Sequence, residues 1–344
     1  MTSATQSAPL PGSQALPVNV PPAPSSSPIG PSPTAAATRG GLVAALVECT
    51  KPGITRLVTI TAAVGFAMAF LVSGSTLSGR VLLNLAAAAL GTALCAAGAN
   101  AINQFMERSR DARMNRTKAR PIPTGRLSPA LAVSFGSVLT VVGLALLYGV
   151  CGVIPMAVAA ACTLSYVLFY TPLKPISALC TYVGTIPGAL PPLIGWTAMS
   201  AQAADPFDAL RHAGGWSLVA LMAVWQLPHS FALAWMYKDD YSRGGYRLLP
   251  VIDSSGQLTA GTILVWSLVQ IPATLWPLLT MPSAAGWAYG IVAAVCGLYF
   301  VTLCVNVWKT RDIADARRVF LVSIAILPLL LTVMVAEGAI RRVL

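Results

Sequence analysis

Residues 127–173 read LSPALAVSFGSVLTVVGLALLYGVCGVIPMAVAAACTLSYVLFYTPL, 47 consecutive residues without one charged side chain. As a single helix rising about 1.5 Å per residue, this run would be roughly 70 Å long, about twice the hydrocarbon thickness of a bilayer. It therefore predicts two antiparallel membrane spans, 128–149 and 152–171, turning between Gly149 and Pro155. The same signal recurs on both sides. Apolar runs of spanning length cover roughly 54–74, 82–104, 178–199, 215–236, 258–279, 286–307 and 319–337, so the chain is expected to be an all-α polytopic bundle of nine transmembrane helices. Composition agrees: 56% of the 344 residues are hydrophobic, 10% are charged and the mean hydropathy is +0.72. Soluble domains carry about 25% charged residues, which excludes an ordinary water-soluble protein.

The formal charge of +11 would suggest a nucleic-acid partner in a soluble chain, but here the positive residues lie between the spans. Counted on alternate sides of a nine-span chain, 18 Lys and Arg fall on the side of the N-terminus, seven of them between Arg108 and Arg126, and four (Arg80, Arg211, Arg341 and Arg342) on the other. That asymmetry predicts a cytoplasmic N-terminus and no nucleic-acid partner. Residues 1–42 are expected to form a disordered tail ahead of a membrane domain at 43–344, because the first 38 contain nine Pro, seven Ser and no charge. Without a basic n-region or Arg enrichment, the tail reads as neither signal nor transit peptide. The seven cysteines form no CxxC pair and read as small buried hydrophobes.

Chemistry concentrates at the ends of two spans. After the second, Asn103, Glu107 and Asp111 are spaced i, i+4, i+8, which places three oxygen donors on one stripe if the helix continues. Such donors suit a hard cation such as Mg2+, bound by one or two carboxylates plus substrate phosphates. Around the stripe stand Arg110, Arg116, Lys118 and Arg120, able to grip phosphate oxygens. A solvated helix end with i,i+4 ion pairs is the competing reading. The sixth span ends in Trp225-Gln226-Leu-Pro228-His229 and then Lys238-Asp239-Asp240-Tyr241-Ser-Arg243, on the same predicted face. Asp239 and Asp240 offer a second cation position, or a solvated loop paired with Lys238 and Arg243. His229 lies at membrane depth, where an ionisable group points to function. Between these clusters, Tyr170-Thr-Pro-Leu-Lys174 supplies a lone cation, and 184–196 pack three Pro and three Gly into one span, predicting a broken helix that lines a cavity.

Taken in order, the segments Asn103-Gln-x-x-Glu107-x-x-x-Asp111, Arg116-Thr-x-x-Arg120-Pro, Tyr170-Thr-Pro-Leu-Lys174, Pro187-Gly-Ala-Leu-Pro-Pro-Leu-Ile-Gly-Trp196, Trp225-Gln-x-Pro-His229 and Lys238-Asp-Asp-Tyr241 resemble the UbiA superfamily of intramembrane prenyltransferases, in particular its protohaem IX farnesyltransferase branch. The resemblance runs from about Lys51 to the last span. It implies a nine-helix bundle with a central cavity, and transfer of the farnesyl group of farnesyl diphosphate to a vinyl group of haem B with addition of water, giving haem O and diphosphate for terminal oxidases. It further implies Mg2+ held by catalytic Asn103, Glu107 and Asp111 at one motif and Asp239 and Asp240 at the other. Arg110, Arg116, Lys118, Arg120, Lys174, Lys238 and Arg243 would bind diphosphate, and His229, Gln226 and Tyr170 would contact the acceptor. A bacterial inner membrane as the site of action, and haem A synthase or oxidase assembly factors as partners, follow from the same resemblance. The chain departs from the wider superfamily in having Glu107 where Asp is commoner and Met236 where a further Asp is often found. An aromatic or quinone-precursor acceptor is the alternative within the enzyme class. A transporter is the alternative outside it, though its polar groups would be expected near the midplane of several helices and not on one face.

Overall fold

The computed structural model describes residues 39–200, 205 and 207–344, and all of its regular structure is helical. The expected tail lies outside the described residues up to 38, and its last four residues already belong to a helix. In chain order the elements are α1 (Arg39–Cys49), α2 (Pro52–Ser73), α3 (Gly79–Asp111), α4 (Pro129–Cys151) and α5 (Val153–Leu164). A π-helical stretch (Ser165–Tyr170) follows α5 and runs into α6 (Thr171–Leu173). Next come α7 (Cys180–Val183), α8 (Thr185–Ala189), α9 (Pro191–Met199), α10 (Asp208–Arg211) and α11 (Ala213–Met236). The chain closes with α12 (Lys238–Arg243), α13 (Leu249–Ile252), α14 (Gln257–Thr280), α15 (Trp287–Thr310) and α16 (Ile313–Val343).

Among the described residues, eight helices are long and apolar enough to cross a membrane, with α5, the π stretch and α6 counted as one. The expected ninth span, 178–199, is present as α7, α8 and α9 and not as one continuous helix. Pro187, Pro191 and Pro192 cannot donate to the helical ladder, and glycines at 184 and 188 lower helix propensity. The hairpin inferred from the charge-free run is there: α4 ends on Cys151, and Gly152 turns the chain at φ 91, a conformation that favours glycine.

Bilayer-embedded helices gain little from hydrophobic burial against one another, so close backbone approach carries much of the packing. Gly91 and Gly98 of α3 meet Gly143 and Gly136 of α4, each backbone against the facing carbonyl. Gly65 of α2 lies against the Pro192 carbonyl, and Gly195 of α9 against the Ala62 carbonyl. These crossings tie the broken span to α2. On the other side, Trp225, Phe231 and Trp235 of α11 enter a buried cluster with Ile263 of α14 and Val319 and Leu327 of α16. The buried Tyr289 hydroxyl of α15 donates to Thr274 O of α14 at 2.5 Å, tying these two helices together. Five of the seven cysteines are buried, Cys162 and Cys296 are half-buried, and all are free thiols.

Candidate active site

The long helix α3 continues past its apolar stretch and presents Asn103, Glu107 and Asp111 on one face, all three buried. Glu107 and Asp111 open into a cavity of about 550 Å³ bounded by α2, α3, α5 with its π stretch, α7, α8, α9, α11 and α12. Its charged end is lined by Lys51, Arg116, Arg120 and Lys174. Its other end, towards the middle of the helices, is lined by Val58, Cys95, Ala96, Ala159, Cys162 and Ile194. Four cations against two carboxylates leave the charged end with a positive surplus. That combination suits an amphiphile with a polyanionic head and an apolar tail.

Each member of the stripe has a basic partner. Lys51 Nζ donates to Asn103 Oδ1 at 2.6 Å, Lys174 Nζ pairs with Glu107 at 2.7 Å, and Arg120 pairs with Asp111 Oδ2 at 2.7 Å. Asn103 Nδ2 in turn donates to Thr171 Oγ1 at 2.9 Å, joining α3 to the end of the π stretch. Burial opposes the charge on Lys174, yet Glu107 and the surrounding tyrosines outweigh it and hold the ammonium well above its ordinary pKa. At Lys51 the carboxylates of Glu107 and Asp111 are offset by the cations Arg120 and Lys174. Burial and neighbouring Arg120 lower its pKa from 10.5 to about 7.

Among the carboxylate oxygens of the stripe, one is buried without a partner. Asp111 Oδ1 is buried and accepts no hydrogen bond. Buried polar atoms are normally satisfied, and Asp111 Oδ1 with the Glu107 carboxylate offers the oxygen donors a hard cation takes, whereas Asn103 does not line the cavity and its Oδ1 is already taken by Lys51. Among the described residues no three His, Cys, Asp or Glu side chains converge, so protein carboxylates alone do not form a cage. This fits Mg2+, which keeps waters and shares its shell with substrate phosphates.

The second acidic segment is placed differently. Asp239 is exposed and Asp240 is buried, and neither lines the cavity. Asp240 Oδ1 accepts from the Asn115 amide at 2.9 Å and Oδ2 from the Arg116 amide at 3.1 Å, while Arg243 pairs with the same carboxylate. Burial opposes ionisation there, but Arg243 and the two amides outweigh it and hold the Asp240 pKa below the usual range. Of the expected diphosphate ligands, Arg116, Arg120 and Lys174 face the cavity. Arg110 instead donates to the carbonyls of Gly244 and Gly245, each at 3.0 Å, and Lys118 to Asn115 Oδ1 at 3.1 Å. Lys238 and Arg243 stand outside the lining as well. Of the expected acceptor contacts, Tyr170 and Gln226 line the cavity. His229 does not: its Nδ1 lies 2.8 Å from Ser323 Oγ, and its ring packs between Trp225 and Phe320 at centroid distances of 4.9 and 4.8 Å.

The UbiA prenyltransferase family profile matches residues 58–325, more than three quarters of the sequence. The chain belongs to the UbiA prenyltransferase family. Among its relatives, the protoheme IX farnesyltransferase of Salinibacter ruber is 37% identical over 287 residues, covering 83% of this chain and 96% of that one. The protoheme IX farnesyltransferase of Solibacter usitatus is 35% identical over 299 residues, covering 85% and 97%. Solved UbiA homologues share the fold at low identity. One from Aeropyrum pernix has a TM-score of 0.61 at 16% identity, covering 84% of this chain and 98% of that one. One from Archaeoglobus fulgidus, bound to GPP and Mg2+, has a TM-score of 0.58 at 12% identity, covering 87% and 100%. This UbiA-family chain is thus a multi-pass membrane prenyltransferase.

Lys51 lines the cavity although the sequence alone shows it only as a cation flanking the first span. No local pattern marks it, because a residue before proline is expected in the extended region. In the structure Lys51 adopts φ 50, ψ 69, unusual for a side chain with a Cβ and characteristic of functional positions. Replacing Lys51 by Met is expected to raise the KM for prenyl diphosphate about 10–100-fold, the scale of one lost charged hydrogen bond. Steady-state kinetics against the diphosphate substrate would measure it, and an unchanged KM would remove Lys51 from the site.

Proposed function

We propose that the chain transfers the farnesyl group of farnesyl diphosphate to a vinyl group of haem B, water adding to give haem O and diphosphate. The observation that carries this reading is the cavity: a surplus of cations and an unpartnered Asp111 oxygen at one end, and a mostly apolar chamber beyond it. The haem acceptor is that of the protoheme IX farnesyltransferases to which this chain is similar.

In this reading Lys51, Arg116, Arg120 and Lys174 bind the diphosphate oxygens and stabilise the charge that develops on them as the C1–O bond breaks. Mg2+, held by Glu107 and Asp111 with Asn103 beside them, would supply further neutralisation of that charge. The apolar walls receive the prenyl chain and exclude bulk water from the allylic cation. Tyr166 and Tyr170 have rings 5.5 Å apart in the cavity wall, and the Tyr170 ring already carries the Lys174 ammonium 4.5 Å from its centroid, which leaves Tyr166 as the aromatic ring of this pair with no cation stacked on it. The vinyl π electrons form the new bond to farnesyl C1, and water adds to the resulting porphyrin-side cation with loss of a proton. A cytoplasmic charged face is supported by the 18-to-4 distribution of Lys and Arg, and a bacterial inner membrane by the bacterial origin of the similar protoheme IX farnesyltransferases. Haem A synthase or an oxidase assembly factor would receive the product.

Expression in a host lacking haem O synthesis, followed by mass spectrometry of extracted haems, tests the reaction. Farnesylated haem is expected. Inserted, folded protein that makes none, yet prenylates an aromatic acid, would replace haem by the aromatic acceptor.

A further inference from the structure

The segment 237–243 touches the segment 112–118 at several points, and every one of them fixes Arg116 or its neighbours. The Asp240 carboxylate takes the Asn115 and Arg116 amides, one on each oxygen. The Arg116 guanidinium lies over the rings of Tyr237 and Tyr241, 4.7 and 5.2 Å from their centroids, and donates to the Tyr241 hydroxyl at 2.9 Å. Tyr237, Asp240 and Tyr241 are spaced i, i+3, i+4, so one turn at the start of α12 holds both the backbone and the side chain of Arg116. Nearby, Arg110 and Arg113 donate to the Gly244 carbonyl and close the same seam.

These contacts leave Asp240 poorly suited to a cation. Both oxygens are already occupied, Arg243 sits on one of them, and Arg116 stands alongside. Capture by a metal would strip two backbone N–H groups of their acceptor. Asp239, the other candidate, is exposed and does not line the cavity. We propose that Asp240 is a positioning residue that latches Asn115 and Arg116 and so sets the Arg116 guanidinium at the cavity mouth, and is not a ligand of the divalent cation. What Arg116 grips rests on the proposed prenyl diphosphate reading. The latch itself does not.

Hydrogen–deuterium exchange on the full chain in detergent tests it, following the peptide that contains Asn115 and Arg116. Four conditions are compared: no addition, Mn2+ alone, an unreactive farnesyl thiolodiphosphate alone, and both. The latch predicts that protection of these amides is kept or increased in all four. Loss of protection on adding Mn2+ would show the carboxylate leaving for the metal and overturn the proposal. In Asp240→Asn, exchange of this peptide is expected to rise at least about ten-fold, as a local opening equilibrium shifts. The KM for farnesyl diphosphate should rise about ten-fold with kcat changed less, while the Mn2+ affinity read by electron paramagnetic resonance stays within about two-fold. A loss of Mn2+ affinity of about ten-fold or more, the scale seen when metal sites lose a supporting group, would overturn it. If Asp240→Asn does not fold, the four conditions on the parent chain still decide. If the thiolodiphosphate fails to bind at all, the proposed function fails, and the Mn2+ condition still reads the latch.

Discussion

Asp111→Asn is expected to lower haem O formation by about 10²–10³-fold, the loss typical of removing one electrostatic stabiliser of a developing anion. Asp111 is fully buried, pairs with Arg120 through Oδ2 and leaves Oδ1 without a partner at the charged end of the cavity. Asparagine keeps the shape and one oxygen for Arg120 but removes the negative charge that would hold Mg2+. The effect should therefore fall on turnover more than on folding. Monodisperse elution and an unchanged unfolding temperature in detergent would show that the bundle survives. Turnover within about ten-fold of the parent would mean that Asp111 is no more than the ion-pair partner of Arg120.

Gly65→Leu is expected to prevent folding of the bundle, the largest structural effect of any single change considered. A Cβ at Gly65 would run into the Pro192 carbonyl, and across the same crossing Gly195 meets the Ala62 carbonyl. These are backbone atoms, which cannot rotate away as a side-chain tip can. Ordinary overpacking costs about 1–3 kcal/mol, and here the helices must separate along the seam that anchors the broken span. Even Gly65→Ala should lower the unfolding temperature measurably. Gly149→Ala is the control: no atom lies within 4 Å of a Cβ there, and φ is not in the left-handed region, so a change from neutral to about 1 kcal/mol stabilising is expected. Thermal unfolding of the three variants in one detergent would order them. If Gly65→Leu unfolds at the parent temperature, the close crossing does not exist in the membrane protein.

Much of the fold was legible because its signals are local. A span needs about 20 apolar residues in a row, and the 47 charge-free residues between Arg126 and Lys174 can only be a hairpin of two. The stripe of Asn103, Glu107 and Asp111 was equally readable, since helical periodicity alone puts i, i+4 and i+8 on one face, and α3 does extend through Asp111. The break in the span at 178–199 followed from its prolines and glycines, although the resulting number of continuous helices did not.

Partnership across the chain was not legible. Lys51 and Asn103 are 52 positions apart, Lys174 and Glu107 are 67 apart, and Asp240 reaches amides 125 and 124 positions away. Spacing says nothing about such pairs, because they are set by which helices cross and at what height. By its sequence alone this protein is a membrane bundle with its charge gathered at the ends of particular spans, since the cost of burying charge in hydrocarbon forces that segregation. Tertiary structure decided what those charges face. Packing turned Lys51 into the cavity and His229 away from it, spent Asp240 on two backbone amides, and left one oxygen of Asp111 open. The physical reason is that a polar group's role depends on whether its bonding capacity is already met, and only the folded arrangement supplies or withholds the partners.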